Sequence, residues 1–134
     1  MRPLEEIARS LYDRRHHAVP VSFRQVRIGD GDKPDDWVPA PNICYDNVDI
    51  WVRRCPEYKA VRGWAVFDFT DNPFFRPCFH FAGHSVVQTP DGALMDITPL
   101  GIERVPPFIP HPGDFEEFEA LRLAHIPLTA NHFL

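Results

Sequence analysis

The stretch FHFAGHSVVQTPDGALMDITPL, from Phe79 to Leu100, carries the clearest structural signal in the sequence. Two segments rich in apolar and β-branched residues flank Thr89-Pro90-Asp91-Gly92, which fits a type I turn with proline at its second position. Gly92 can then adopt a left-handed conformation as the bulge residue that closes a three-residue hairpin loop. The stretch is therefore predicted to form an antiparallel β-hairpin.

The type of turn decides which side chains of this hairpin share a face. A loop of Pro90 to Gly92 pairs Thr89 with Ala93, and this register makes His84 and Asp96 diagonal neighbours on one face. Their backbones would lie roughly 5.5–8 Å apart, within reach of a hydrogen bond between an imidazole and a carboxylate. A two-residue loop would put them on opposite faces, so the prediction depends on the turn.

A second segment, PNICYDNVDIW from Pro41 to Trp51, predicts a helix that starts beside a cysteine. Asn42 is a favoured N-cap residue, and the helix should continue to about Arg54 and stop before Pro56. Cys44 would then lie in the first turn, where free backbone N–H groups and the positive end of the helix dipole favour a thiolate. The pattern therefore makes Cys44 a candidate nucleophile.

The remaining segments complete an α+β pattern. An amphipathic helix is predicted from Leu4 to about Arg15, and strand patterns occupy 21–28 and 60–69. The proline-rich segment 106–113 is predicted as a rigid connector before a helix capped by Asp114. This order predicts an N-terminal helix and the cysteine-bearing helix, both packed on an antiparallel sheet.

Length and charge restrict the classes of function. A chain of 134 residues is predicted to form one domain, residues 1–134. A net charge of -5 without a long basic block argues against nucleic acid as a partner. Three cysteines and no long apolar run indicate a reducing compartment and no membrane association. A cytoplasmic protein is expected, or an effector exported without a cleaved signal peptide.

The two segments together suggest nucleophilic chemistry. Cys44 would be the nucleophile, His84 the base, and Asp96 the group that orients the imidazole and stabilises its charged form. The backbone N–H of Cys44 would donate to an oxyanion, with the Asn42 side chain as a second donor. The reaction class is acyl transfer through a thioester, and it needs no cofactor.

These features resemble the transglutaminase-like branch of the papain-like superfamily. The resemblance is carried by a cysteine that opens a helix, by GWAVF, and by GHSVVQTPDGALMDITP, and it covers about Asn42 to Pro99. It implies a small bacterial-type papain-like hydrolase whose nucleophile, base and acidic partner fall on Cys44, His84 and Asp96. Its substrate would be a protein or peptide, and an amidase, a deamidase and a peptidase all fit. Trp64, in GWAVF, is a candidate substrate-binding residue.

Two other interpretations use the same region. His80 is an alternative base, because an even offset along a regular strand places it on the same face as His84. Cys78, His80 and His84 could instead bind zinc, with Cys44 or Asp96 as a further ligand. Against zinc, an extended strand separates Cys78 from His84 by roughly 20 Å, which is too far for ligands of one ion.

A third interpretation is a binding module without catalytic activity. Its apolar groove would be formed by aromatic side chains, although such clusters more often form a protein's core. The cysteine at position 55 is also expected in the core, because it lacks the place at a helix start. The aromatic residues in question are Trp37, Trp64, Phe74, Phe75, Phe79 and Phe81.

Overall fold

The computed structural model describes residues 2–30, 36–71, 73–74, 77–99, 105–124 and 128–131. Within these ranges the protein is α+β, with three α-helices and a mixed sheet of six strands, so the predicted fold class is confirmed at this level. None of the described helices has the length and apolar character needed to cross a bilayer. In chain order the elements are α1 Leu4–Arg14, β1 Ser22–Phe23, α2 Cys44–Arg54, β2 Lys59–Asp68, β3 Cys78–Gln88, β4 Leu94–Asp96, β5 Phe108–Pro110, α3 Phe115–Leu123 and β6 Leu128–Asn131.

The sheet has the strand order β1-β4-β3-β2-β5, and β6 pairs with β3. β1 and β4 are parallel, with Ser22 opposite Met95 and Phe23 opposite Asp96. The prediction of a purely antiparallel sheet is therefore wrong. Parallel neighbours need a long crossover connection, and here α2, β2 and β3 all lie between β1 and β4 in the chain. A hairpin-based interpretation of the sequence could not detect such a pair.

Contacts divide the chain into two compact units, each assembled from separate segments. The first unit contains Met1–Val19, Arg62–Gly83 and Pro106–Leu134. The second unit contains Pro20–Val61 and His84–Val105. The strands β2 and β3 contribute residues to both. The expectation of a single papain-like domain over residues 1–134 stays a prediction.

In the second unit, the hairpin has the register that the turn predicts. Val87 lies opposite Met95, and the N–H of Thr89 donates to the carbonyl of Ala93 at 2.8 Å. Gly92 has a φ of 94°, a left-handed value that glycine tolerates without steric cost. The three-residue loop and its bulge are thereby confirmed, and they fix which faces the side chains of β3 and β4 present.

The helix α2 spans Cys44–Arg54, so the predicted extent is confirmed and the cysteine occupies the first turn. The predicted cap is wrong. Ile43 is the residue at the N-cap position, and Asn42 has a φ of 65°. Asparagine adopts this left-handed conformation more readily than most residues, and here it serves the tight turn before the helix rather than the cap.

The apolar face of α2 packs on β3 and β4 to form the core of the second unit. Trp51 is 1% exposed, and the side chains of Trp37, Val52 and Tyr58 pack against the edge of this cluster. Cys55 is a member, which confirms that it is a core residue. The full cluster is Val26, Val48, Trp51, Cys55, Val87, Met95 and Ile97.

Two segments of the chain differ from their predicted structure. The strand expected over 21–28 is limited to Ser22–Phe23, because its partner β4 is only three residues long. The connector expected over 106–113 contains β5, which pairs with β2 in the first unit and places Ile109 opposite Trp64. β5 lies at the end of the strand order, where a proline at either end of a short strand is tolerated.

A part-buried set of polar side chains joins three segments of the first unit. The indole N–H of Trp64 donates to Nδ1 of His111 at 2.9 Å, so the imidazole proton lies on Nε2, 2.9 Å from Oε1 of Glu117. Arg2 donates to the same carboxylate at 2.7 Å. Burial lowers the pKa of His111, and the hydrogen bonds of Arg2 lower the pKa of Glu117 to about 2. The polar, proline-rich sequence around His111 predicts a solvated surface position, but its side chain is only 4% exposed.

Replacement of Glu117 by Gln should lower the free energy of unfolding at pH 7 by about 1–3 kcal/mol, because two partners lose a charged acceptor. The carboxylate of Glu117 contributes stability above pH 4.5 that is lost as the pH falls towards 2. The difference in the free energy of unfolding between the wild type and the variant should therefore shrink as the pH falls. Urea unfolding of both proteins between pH 3 and pH 7 measures this difference. Glu116→Gln, an exposed neighbour in α3, is the control, and an equal loss there would contradict the prediction.

Candidate active site

Three of the residues singled out from the sequence meet within the second unit. Cys44 is the first residue of α2, Asp96 is the last residue of β4, and His84 lies in the part of β3 that belongs to this unit. Nε2 of His84 is 2.6 Å from Oδ2 of Asp96. The side chain of Cys44 lies near enough to His84 to raise the pKa of that imidazole. The thiol, the imidazole and the carboxylate thus lie near one another.

The carboxylate of Asp96 is held at both oxygens. The side chain is completely buried. Oδ2 accepts a hydrogen bond from His84, and Oδ1 accepts one from the backbone N–H of Thr98 at 2.9 Å. A buried carboxylate needs such partners, because an unpaired charge in the interior is strongly unfavourable. The pairing also orients the imidazole ring, since Nε2 points to Asp96.

The protonation of His84 reflects opposing influences. Burial alone lowers the pKa of this histidine, but the hydrogen bonds and charges of Asp96 and Cys44 outweigh it and raise the pKa to about 9. His84 is therefore an imidazolium at neutral pH. A positive ring between a carboxylate and a sulfur is the charge distribution that stabilises a thiolate nucleophile.

The surroundings of Cys44 differ from those of the other two cysteines. Cys44 is 8% exposed and lies near His84, whereas Cys55 lies in the apolar cluster and Cys78 is half-buried in the first unit. As the first residue of α2, Cys44 has a backbone N–H without an intrahelical partner. That N–H is available as an oxyanion donor. Asn42 is exposed, and its part as a second donor stays a prediction.

Asn47 is a buried polar residue one turn after Cys44, a spacing from which the sequence predicts only a local cap or hydrogen bond. Its Oδ1 accepts the N–H of Ala40 at 3.0 Å, and its Nδ2 donates to the carbonyl of Ala40 at 2.8 Å. The same Nδ2 donates to Oγ1 of Thr98 at 3.0 Å. The local role was foreseen, but the link to Thr98 was missed. The available signal was the spacing, because Asn47 lies one turn after Cys44 and Thr98 lies two residues after Asp96.

Comparison with protein-family models, curated proteins and solved structures found no match to this chain. The resemblance to the transglutaminase-like branch thus stays a prediction. What can be argued about the site follows from the contacts of its own side chains.

The alternative zinc site lacks a suitable geometry. Within the described ranges, which include Cys78, His80 and His84, no group of three or more His, Cys, Asp or Glu side chains could hold a metal ion. The ring of His80 lies 6.3 Å from the rings of both Phe67 and Phe69. His84 instead faces Asp96. The structure thus gives no support to a metal centre on this strand.

Trp64 belongs to the first unit, where it is 3% exposed and its N–H is occupied by His111. Nothing in these surroundings supports the predicted contact with substrate. Phe81 is 1% exposed and therefore also part of the core, unlike Phe74, which is 88% exposed. Two of the six aromatic residues of the alternative groove are thus unable to line a surface, and Phe75 lies outside the described residues.

Proposed function

We propose that the protein is a cysteine-dependent acyl-transfer hydrolase with a papain-like active site. The observation that carries the proposal is the buried 2.6 Å contact between His84 and Asp96. The same imidazole lies near Cys44, which opens the helix α2. A nucleophile, a base within hydrogen-bond reach and a third group that orients the base are the general signature of nucleophilic catalysis.

In the first half of the reaction, the Cys44 thiolate attacks the carbonyl carbon of an amide. The tetrahedral oxyanion accepts a hydrogen bond from the backbone N–H of Cys44, which lies at the positive end of the α2 dipole. The carbon–nitrogen bond then breaks, and His84 transfers its Nδ1 proton to the leaving nitrogen. An amine or ammonia departs, and the acyl group remains on sulfur as a thioester.

In the second half, water attacks the thioester. The now neutral His84 accepts a proton from this water at Nδ1, and the carbon–sulfur bond breaks to release a carboxylic acid and the Cys44 thiolate. Asp96 keeps its charge throughout and stabilises the imidazolium at both ends of the cycle. The cycle consumes one amide and one water, and it requires no cofactor.

The proposed substrate class is a protein or peptide that presents an amide. Release of ammonia from a side-chain carboxamide would make the protein a deamidase, and cleavage of a main-chain amide would make it a peptidase. Incubation with peptides that contain glutamine and asparagine separates these outcomes by mass. A gain of about one dalton marks deamidation, and chain cleavage marks a peptidase. Cys44→Ala is the control and should abolish either product.

Competition among the three cysteines for iodoacetamide tests the nucleophile without a known substrate. Accessibility alone favours Cys78, because it is more exposed than Cys44. The proposal predicts the reverse order at pH 6, with Cys44 alkylated at least roughly tenfold faster than Cys78, because a positively charged imidazole beside a cysteine makes its sulfur more reactive. Mass spectrometry of the digested protein measures the three rates. A faster reaction at Cys78 would remove the basis of the proposal.

A further inference from the structure

We infer that Asn47 is a positioning residue, which fixes the helix that carries Cys44 to the carboxylate that orients His84. This inference rests on the proposed function and adds a residue to its site. It is based on a continuous set of buried hydrogen bonds in the second unit, which runs from Asn47 through Thr98 to Asp96.

The amide of Asn47 has one defined orientation. Ala40 offers one N–H donor and one carbonyl acceptor, and Asn47 binds both, so its Oδ1 must face the N–H and its Nδ2 the carbonyl. The second N–H of Nδ2 then points to Oγ1 of Thr98 at 3.0 Å. Both N–H groups of the amide and its oxygen therefore have protein partners. The side chain is only 1% exposed, so these partners are not replaced by solvent.

Thr98 transmits this constraint to the carboxylate. It accepts from Asn47 at its hydroxyl and donates its backbone N–H to Oδ1 of Asp96 at 2.9 Å. Thr98 and Asp96 are both completely buried. Since Oδ2 of the same carboxylate contacts His84, a displacement of Thr98 changes the position of the imidazole.

The other end of this set of hydrogen bonds lies on α2, the helix that begins with Cys44. Asn47 is three residues after Cys44, so both side chains lie on the same side of α2, one turn apart. The helix start and the Asp96 segment are far apart in sequence, and the 3.0 Å bond between Asn47 and Thr98 joins them directly. The separation between sulfur and imidazole therefore depends on this bond.

A purely structural role would anchor the 38–41 loop through Ala40 and nothing more. The two roles differ in what Thr98 does, because the two hydrogen bonds between Asn47 and Ala40 do not involve Thr98. Thr98→Val keeps the shape of the side chain and its backbone N–H but removes the hydroxyl acceptor. Thr98→Ser keeps the hydroxyl. The pair isolates the link between Asn47 and Asp96.

The test measures the alkylation rate of Cys44 at pH 6 and the NMR titration midpoint of His84 in both variants. We expect Thr98→Val to slow alkylation roughly tenfold and to lower the midpoint, because small displacements of a catalytic group have large kinetic effects. Thr98→Ser should recover most of the rate. Asn47→Ala should resemble Thr98→Val, and combining both changes should add little, since they remove the same bond.

The failure of this inference can be distinguished from that of the proposed function. If Cys44 reacts faster than Cys78 in the wild type but Thr98→Val retains the full rate and midpoint, the positioning role is wrong and the hydrolase proposal stands. If Cys44 has no advantage over Cys78 in the wild type, both are wrong. Urea unfolding of each variant confirms that the rates are compared between folded proteins.

Discussion

Replacement of His84 by Gln should slow the alkylation of Cys44 at pH 6 by roughly two orders of magnitude. An ordinary thiol has a pKa near 8.5, so only about 0.3% of it is ionised at that pH. In the wild type, the raised pKa of His84, about 9, keeps a positive ring beside the sulfur and favours the thiolate. Glutamine preserves much of the volume of the ring but carries no charge.

The measurement is the rate of iodoacetamide incorporation at Cys44 between pH 5 and pH 10. The variant should approach the wild-type rate only above about pH 8.5, where an unpaired thiol ionises without help. His80→Gln is the matched control, because His80 lies on the same strand but contacts Phe67 and Phe69. A similar loss in the two variants would show that the effect does not depend on the proposed pair.

Replacement of Asp96 by Asn should lower the titration midpoint of His84 from about 9 by roughly two units. Burial favours the neutral imidazole, and the charge of Asp96 is a main influence that overcomes it. A pKa of about 9 instead of 6.5 corresponds to roughly 3 kcal/mol of preference for the charged ring. NMR titration of the His84 ring protons measures the change directly.

The same pair predicts how stability depends on pH. Because the pKa of His84 is higher in the folded protein, its contribution is fully present below about pH 6.5 and is lost as the pH rises through about 9. The free energy of unfolding should then fall between pH 6.5 and 9, and Asp96→Asn should remove the fall.

Asp91→Asn is the control for the midpoint and for the stability measurement. Asp91 belongs to the same hairpin, but it is exposed and its carboxylate accepts from the hydroxyl of Thr89. Its replacement removes one negative charge from the turn without touching His84. A midpoint that falls equally in both variants would contradict the assignment of the effect to the 2.6 Å contact of Asp96.

The sequence predicted the parts of the structure that depend on local rules. The turn Thr89–Gly92 fixes its own geometry, and the alternation of a strand carries that register outwards to His84 and Asp96. The end of α2 followed from Pro56. Its start was placed from Asn42, which lies in the turn just before the helix although it is not the cap. These rules act over at most about ten residues, which is the length of one strand or helix.

Features that depend on distant parts of the chain were missed. The parallel pairing of β1 with β4 brings together residues more than seventy positions apart, and neither strand shows this in its own pattern. His111 lies in a polar, proline-rich segment, but Trp64 and Glu117 bury it. Asn47 bonds to Ala40, which is only seven residues away in the chain. A local role of this kind gave no reason to expect the bond of Asn47 to Thr98.

The chain order of the second unit has a practical consequence. Its two segments, Pro20–Val61 and His84–Val105, are separated by the whole of Arg62–Gly83. Asp71 is an exposed residue in the turn after β2. A protease cut beside it would leave Cys44 on one fragment and His84 on the other. Thiol reactivity would then report whether the fragments reassociate, which offers a split-protein sensor that needs no fused reporter.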